Sequence, residues 1–230
     1  MQISAIKTSI FREGEDLKSF VAKNIPAAAE GSVIVVTSKI VALAEGRTAE
    51  GGEKEKLIKK ESSWIQKVLP RWWLTVRDGV VIVNAGIDES NSENGTLILL
   101  PCDCFASACA LRKKLLAHYR IKRLGVVITD SRISPLRAGV TGVALGYAGF
   151  KGIRDYRGVV DIFGRKMQVT QTNIADCLAT ASVLIMGEGS EQQPLAIITD
   201  APVEFSDRMN RAELYIPLKD DLFRNLFRRR

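Results

Sequence analysis

At 230 residues, with 46% hydrophobic and 26% charged positions, the chain has the composition of an ordinary globular protein, long enough for one large domain or two small lobes. No apolar run approaches the roughly 20 residues a bilayer span needs, which excludes a membrane-crossing helix, and four irregularly spaced cysteines exclude a disulfide framework. An excess of 33 Lys and Arg over 26 Asp and Glu leaves a net charge of +7, which suits anionic partners.

Met1 to Ser4 show no basic region followed by an apolar core, so no signal peptide is expected, and the thiols suit a reducing cytoplasm. Residues 14–23 read as a short amphipathic helix with Leu17, Phe20 and Val21 on one side. Gly31 opens a strand, Val33 to Thr37. From Glu50 to Gln66 the chain is highly charged, yet Leu57, Ile58, Trp64, Ile65, Val68 and Leu69 recur at helical spacing, which predicts a surface helix stopped by Pro70. A strand at 74–77, the turn signal Asp78-Gly79 and a return strand at 80–84 form a hairpin. Thr96 to Leu100 is another strand. Asp103 or Ser107 caps a helix carrying Leu111, Leu115 and Leu116. Glycines crowd residues 139–164, a helix runs from about 172 to 185 and ends at Gly187, and a strand follows at 195–198.

These elements give a mixed α/β (α+β) protein rather than a regular βαβ series. Strands joined by hairpins predict mixed or antiparallel sheets, in one domain spanning 1–230 with a smaller Gly-rich lobe within about 131–185.

Chemistry concentrates at three acids. The run Val80 to Val83 leads through Asn84-Ala85-Gly86 to Ile87-Asp88-Glu89-Ser90-Asn91. The run Leu124 to Thr129 leads to Asp130-Ser131, and Met186-Gly187-Glu188-Gly189 follows the last helix. A carboxylate past the end of a buried strand lies where α/β proteins gather ligands. Asp88, Asp130 and Glu188, with the Ser131 hydroxyl, offer hard oxygens of the kind Mg²⁺ or Mn²⁺ takes alongside phosphate. Asn91 can bond a base or ribose, and Met186 to Ser190 expose backbone N–H groups with little side-chain bulk. Lys39, Arg47, Arg137, Arg154, Arg157 and Arg165 are candidates to balance anion charge. Neither a P-loop nor a G-x-G-x-x-G motif occurs. Cys102-x-Cys104 lacks the second ligand pair of a zinc site, and the lone His118 reads as a helix-flank residue. The basic tail, Phe223 to Arg230, reads as a solvated end.

Taken in order, these segments resemble the coenzyme F420-0:L-glutamate ligases, also called F420-0 γ-glutamyl ligases. The matching stretches are Ile34 to Lys39 with Ala44 to Arg47, Asn84 to Asn91, and Leu100 to Asp103 with Ser107-Ala108 and Leu111-Arg112. Val127 to Ser131, Arg137 to Gly139, Gly142 to Gly149, Asp161 to Arg165 and Ala175-Asp176 through Gly189 continue the match. The resemblance implies an uncommon α/β fold, a homodimer, and a GTP-driven enzyme using two divalent ions, Mn²⁺ or Mg²⁺, often with K⁺. It implies Asp88 and Asp130 at one metal, Ser131 and Glu188 at the second. It also implies nucleotide contacts from Ser9, Ile10, Phe11 and Arg12, from Ser38, Lys39 and Asn91, and from the loop Met186 to Gln193, including Gly187, Gly189 and Ser190. Three positions depart from the pattern: Leu43 stands where a nucleotide-contacting Lys is usual, Ile133-Ser134 replaces Gly-Arg, and Cys104 replaces Pro.

The implied reaction joins L-glutamate to an acceptor carboxylate through an acyl phosphate formed at the expense of GTP or ATP. No side chain is assigned as a general base. F420-0 is the default acceptor, and a folate or dihydropteroate is the alternative. A rival of another class is a relative that binds nucleotide or RNA without turnover; keeping all four metal-matching residues argues against it.

Overall fold

A computed structural model describes residues 1–92, 95–208 and 210–227; the end of the basic tail, Arg228 to Arg230, lies outside them. At the centre is a five-stranded sheet in the order β1-β12-β2-β8-β9, formed by β1 (Gln2–Ile6), β12 (Leu195–Thr199), β2 (Ser32–Thr37), β8 (Leu124–Ile133) and β9 (Val140–Ala148). Only β2 and β8 run parallel, in register from Ser32 opposite Leu124 to Thr37 opposite Thr129. The other pairings are antiparallel, so the sheet is mixed, as the sequence leads one to expect. Val33 to Val36 are fully buried because both faces of β2 are covered, and a strand covered on both faces reads as a continuous apolar run.

On one face pack α1 (Leu17–Asn24), α2 (Ser38–Ala44) and α4 (Cys104–Tyr119), whose Phe20, Val21, Ile40, Val41, Leu111 and Leu115 share a core with Ile34, Val36, Val126 and Ile128. On the other packs α5 (Ile174–Met186), with Ile174, Leu178 and Ala179 against Val33, Val35 and Val127. α1, α4 and α5 each start at a side-chain cap that satisfies one of the helix's free N–H groups. Asp16, Asp103 and Asn173 accept from Ser19, Ala106 and Asp176 at 2.8, 2.9 and 2.9 Å. Of the two expected caps for α4, Asp103 is therefore the one used.

A bulge in the β8–β9 ladder, where Ile128 faces Gly146 but Thr129 faces Ala144, turns Leu145 and Gly146 to the same side. Gly146 then meets the start of α4 so closely that a Cβ would fall 2.4 Å from the Cys104 carbonyl carbon. The Ala144 N–H at the bulge donates to Asp176 Oδ1 at 3.0 Å, and Arg132 pairs with the other oxygen at 3.1 Å. The matched residue Asp176 is thus a brace between α5 and the sheet.

Residues 48–99 form a flank. It contains β3 (Thr48–Ala49) paired with β7 (Leu97–Ile98), α3 (Lys54–Glu61), and an antiparallel sheet of β4 (Trp64–Leu69), β5 (Trp72–Arg77) and β6 (Val80–Val83). Ile58, Ala85, Ile87, Leu97 and Leu99 make its core. The expected helix from Glu50 to Gln66 is corrected here, since it ends at Glu61. Ser62 turns its hydroxyl back to the Ile58 carbonyl at 2.6 Å, and Ser63 donates its N–H to Val76 at 2.8 Å, which starts the β4–β5 ladder. Trp64, Ile65, Val68 and Leu69 then serve as strand residues. The expected strand at 96–100 contracts to Leu97–Ile98. A short pair, β10 (Ile153–Asp155) with β11 (Gln171–Asn173), lies in the Gly-rich stretch. Among the described residues no helix is long and apolar enough to cross a membrane.

Candidate active site

The parallel pair creates the site. β8 has ten residues and β2 six, so beyond Thr129 one edge of β8 loses its partner strand, and the chain leaving β2 turns into α2 at Ser38. The gap is walled by the segment after β1, by the flank's Gly86 to Ser92, and by the loop from α5 into β12. The result is a cavity of about 490 Å³ at the carboxyl ends of the parallel strands. Asp130 therefore sits within β8, on the stretch paired to β9 alone, and not past the strand end as the sequence suggests.

Asp88 is delivered by an unusual turn. Asn84, Ala85 and Gly86 all have positive φ (52°, 56° and 72°). Non-glycine residues stay there only when held. Here the Asn84 side chain accepts from Trp73 N–H at 2.9 Å, and the Ala85 N–H donates to Thr75 Oγ1 at 2.9 Å. Two backbone bonds to Ile98, at 3.0 and 2.8 Å, then fix Asp88 beside β7. Its carboxylate accepts from Lys39 Nζ at 2.8 Å, from Ser90 N–H at 2.8 Å and from Ser90 Oγ at 2.6 Å. Burial pushes Asp88 upward, but these hydrogen bonds and the ammonium charge outweigh it and hold the carboxyl below its usual range.

Asp130 has the opposite balance. Burial pushes it up to about 6, against the Ser38 hydroxyl at 2.8 Å, the Ser131 N–H at 2.8 Å and the attraction of Lys39; the charge of Asp88 raises it further. Ser131 Oγ donates to Glu188 Oε2 at 3.2 Å, and Asn91 Nδ2 donates to the Gly189 carbonyl at 3.2 Å, so both acidic segments touch the loop after α5. Among the described residues no three Asp, Glu, His or Cys side chains gather closely enough to form a metal cage by themselves. The donors are still hard oxygens around one cavity. That set fits Mg²⁺ or Mn²⁺, which keep waters and take substrate oxygens besides one or two carboxylates.

Ser9, Ile10, Phe11, Ser38, Lys39, Asp88, Asn91, Asp130, Ser131, Met186, Gly187, Glu188, Gly189 and Ser190 all line this cavity, as does Leu43. Arg12 is not in the lining; its N–H is taken by Glu15 at 2.9 Å. The other arginines proposed for anion charge also lie elsewhere. Arg47 bonds Glu61 at 2.5 Å and the Leu100 carbonyl at 3.1 Å, Arg157 pairs with Asp155 at 2.5 Å, Arg165 pairs with Asp161 at 3.2 Å, Arg154 bonds the Pro202 carbonyl, and Arg137 is exposed on the β8–β9 loop. Lys39 is the one basic side chain in the described lining. Sequence reasoning gave no separate role to Ser90, or to Glu191 within the loop Met186 to Gln193. Ser90 carried a signal, because a hydroxyl two residues after Asp is placed to bond it; Glu191 carried none.

Comparison with known proteins shows the family to which the chain belongs. Residues 5–200 match the model of the family described as F420-0:Gamma-glutamyl ligase. The chain is 33% identical over 239 residues to the coenzyme F420:L-glutamate ligase of Archaeoglobus fulgidus, covering 96% of this chain and 94% of that one. It is 34% identical over 233 residues to the coenzyme F420:L-glutamate ligase of Methanopyrus kandleri, covering 91% and 92%. The protein of that name from Methanococcus maripaludis is 38% identical over 173 residues, covering 75% of this chain and 68% of its own.

Proposed function

The chain belongs to the F420-0:γ-glutamyl ligase family, whose members are C–N bond-forming enzymes, and from that premise we propose that it joins L-glutamate to a carboxylate of F420-0 at the expense of GTP. The observation that carries this reading is the convergence of Asp88, Asp130, Ser131 and Glu188, from three separate stretches of chain, on one cavity whose described lining holds one ammonium, Lys39. A cavity of about 490 Å³ is of the size that holds a nucleotide-sized ligand.

A carboxylate does not acylate an amine at useful rates in water, so the acceptor must first be activated. In the proposed sequence an acceptor carboxylate oxygen attacks the γ-phosphorus of GTP, the bond to the β-phosphate oxygen breaks and GDP leaves. The amine of L-glutamate then attacks the acyl carbon, the bond to phosphate breaks, and the amide forms with loss of a proton and inorganic phosphate. Asp88 with Asp130, and Ser131 with Glu188, would hold two divalent cations, which when bound neutralise phosphate charge. K⁺ belongs to the same proposal. The chain's own part is positioning and fixed charge. Ser38 orients the Asp130 carboxylate, Lys39 and Ser90 orient that of Asp88, and Asn91 ties the flank to the Gly189 loop.

The proposal extends to a homodimer. Its support is surface chemistry: Ile162, Phe163 and Val169 are 92, 76 and 83% exposed, apolar side chains that a second copy would cover. The test is incubation of the purified protein with F420-0, L-glutamate, Mn²⁺ and GTP. Acceptor-dependent release of GDP with a product heavier by one glutamyl residue supports the reading; GTP binding with no product for any acceptor tried removes it.

A further inference from the structure

The short strand β7 holds more than its length accounts for. Its Ile98 makes both backbone bonds that fix Asp88, and Leu99 to Pro101 follow it towards α4. Against β3 the ladder has two pairs, Thr48 with Ile98 and Ala49 with Leu97, too few to keep a register by themselves. Because side chains alternate along a strand, a slip of one residue would turn β7 over and part Asp88 from Ile98.

Three charges secure the chain just beyond that strand. Glu61 of α3 pairs with Arg47 at 2.5 Å and with Arg77 of β5 at 3.0 Å. Both guanidinium groups turn further donors on one stretch of backbone. Arg47 Nε donates to the Leu100 carbonyl at 3.1 Å, and Arg77 Nη2 donates to the Leu100 and Pro101 carbonyls at 3.4 and 2.9 Å. The Arg47 carbonyl in turn accepts the Leu99 N–H at 2.9 Å. The Arg77 and Glu61 side chains are 7 and 11% exposed. A buried ionic cluster adds little net stability over an apolar one, so what distinguishes this one is the geometry it imposes.

Leu100 carries that geometry to the site. Its side chain closes on Gly86, where a Cβ would fall 2.6 Å from Leu100 Cγ, within the positive-φ turn that delivers Asp88. Arg47, Glu61 and Arg77 are absent from the described lining of the cavity, so they act on it through this stretch of chain.

We propose that Arg47, Glu61 and Arg77 are positioning residues for Asp88: they fix Leu99 to Pro101, which hold Asp88 through the Ile98 backbone and the Leu100–Gly86 contact. The inference rests on the ligase reading, in which Asp88 helps to hold a divalent cation. Groups that orient a ligand from outside set metal affinity without touching the ion. Loosening the clasp leaves the carboxylate in the cavity but no longer held in one orientation.

The test uses two variants that break the chain of contacts at different links. Arg77→Lys keeps the charge but cannot serve Glu61 and both carbonyls at once. Leu100→Ala keeps all three charges and empties the contact on Gly86. Full-length wild type and both variants are titrated with Mn²⁺ in the presence of GDP, free Mn²⁺ being read by electron paramagnetic resonance. Each is repeated in an Asp88→Asn background, where the proposed Ser131 and Glu188 site is left to report. Thermal unfolding shows which forms are folded at the working temperature, and Leu115→Ala, in the core under α4, gives the response to lost packing alone. With Asp88 in place, each variant is expected to raise the Mn²⁺ Kd by about three- to tenfold. In the Asp88→Asn background, and for Leu115→Ala, the change is expected to stay under about twofold. If Arg77→Lys does not fold, Leu100→Ala decides the matter alone. If wild type binds Mn²⁺ and turns over while the variants bind it as tightly, or lose affinity equally in both backgrounds, this inference alone falls. If wild type neither binds Mn²⁺ nor forms product, the ligase reading falls and takes the inference with it.

Discussion

Lys39 Nζ donates to Asp88 Oδ2 at 2.8 Å, and its remaining hydrogens reach the Ser90 carbonyl and hydroxyl at 3.1 and 3.2 Å. The start of α2 is thereby bolted to a loop of the flank some fifty residues on, and the one ammonium in the described lining is committed to orienting a carboxylate. Both side chains keep contact with solvent, so the pair should matter little to folding and much to the site. Lys39→Met is expected to lower kcat/KM by at least about a hundredfold, the scale of losing a fixed charge beside a reacting phosphoryl group, while costing under about 1 kcal/mol in stability. Steady-state kinetics and urea unfolding check this; activity within tenfold of wild type would remove Lys39 from the machinery.

Glu45 predicts the reverse pattern. Its two oxygens accept the Cys102 N–H at 2.8 Å and the Ser107 hydroxyl at 2.5 Å, which ties the end of α2 to the entry of α4 away from the cavity. Charged acceptors of this kind contribute about 1.5–3 kcal/mol each when their partners lose access to water, and less at an exposed site. Glu45→Ala should therefore lower stability by about 2 kcal/mol and leave the KM for GTP within about twofold. An unaltered unfolding midpoint with a raised KM would place Glu45 in ligand binding instead.

The same contrast explains what could be read from the chain. The sheet was legible at Val33 to Val36 and Leu124 to Thr129 because burial on both faces leaves uninterrupted apolar runs. The three acids were legible because each closes such a run or helix. Arg47 was misread, since no local pattern reveals that Glu61, fourteen residues on, holds both Arg47 and Arg77 at 2.5 and 3.0 Å. Trp64 to Leu69 was misread because apolar positions 64, 65, 68 and 69 suit a helical stripe as well as a twisted strand; the ladder to Trp72–Val76 decided between them.

Leu43 tests the departure from the family pattern. It lines the cavity and also packs against the core beneath α2, so the wall is apolar where the family resemblance implies a Lys. With Lys39 already bonded to Asp88 and Ser90, Leu43→Lys adds an uncommitted ammonium facing the cavity. The variant is expected to bind GTP about three- to tenfold more tightly, at a cost of about 1–2 kcal/mol in stability for the lost packing. Titration with GTP and with ATP reads the change and shows whether it discriminates between the bases. Unchanged affinity for both nucleotides would show that this wall lies away from the bound nucleotide.

Asp130 carries a pH signature with a definite sign. Its carboxyl titrates near 6 in the folded protein because of burial, against about 3.9 for an unfolded Asp. Below about pH 4 it is protonated in both states and contributes no penalty. Between about 4 and 6 the unfolded chain ionises first, so stability falls as pH rises; above 6 the full penalty persists. Asp130→Asn removes the ionisation while keeping an oxygen for the Ser131 N–H, and the Ser38 hydroxyl can turn to accept from the new amide. With chelator present, the variant should be more stable than wild type by about 1–3 kcal/mol at pH 8 and no different at pH 4. Guanidinium unfolding at the two pH values measures this. Turnover should move the other way, falling at least about a hundredfold at pH 8, because the charge that costs stability is the one the proposed cation needs. A variant that is neither more stable at pH 8 nor less active would mean that Asp130 is an ordinary strand residue, and the proposed metal site would lose its most buried ligand.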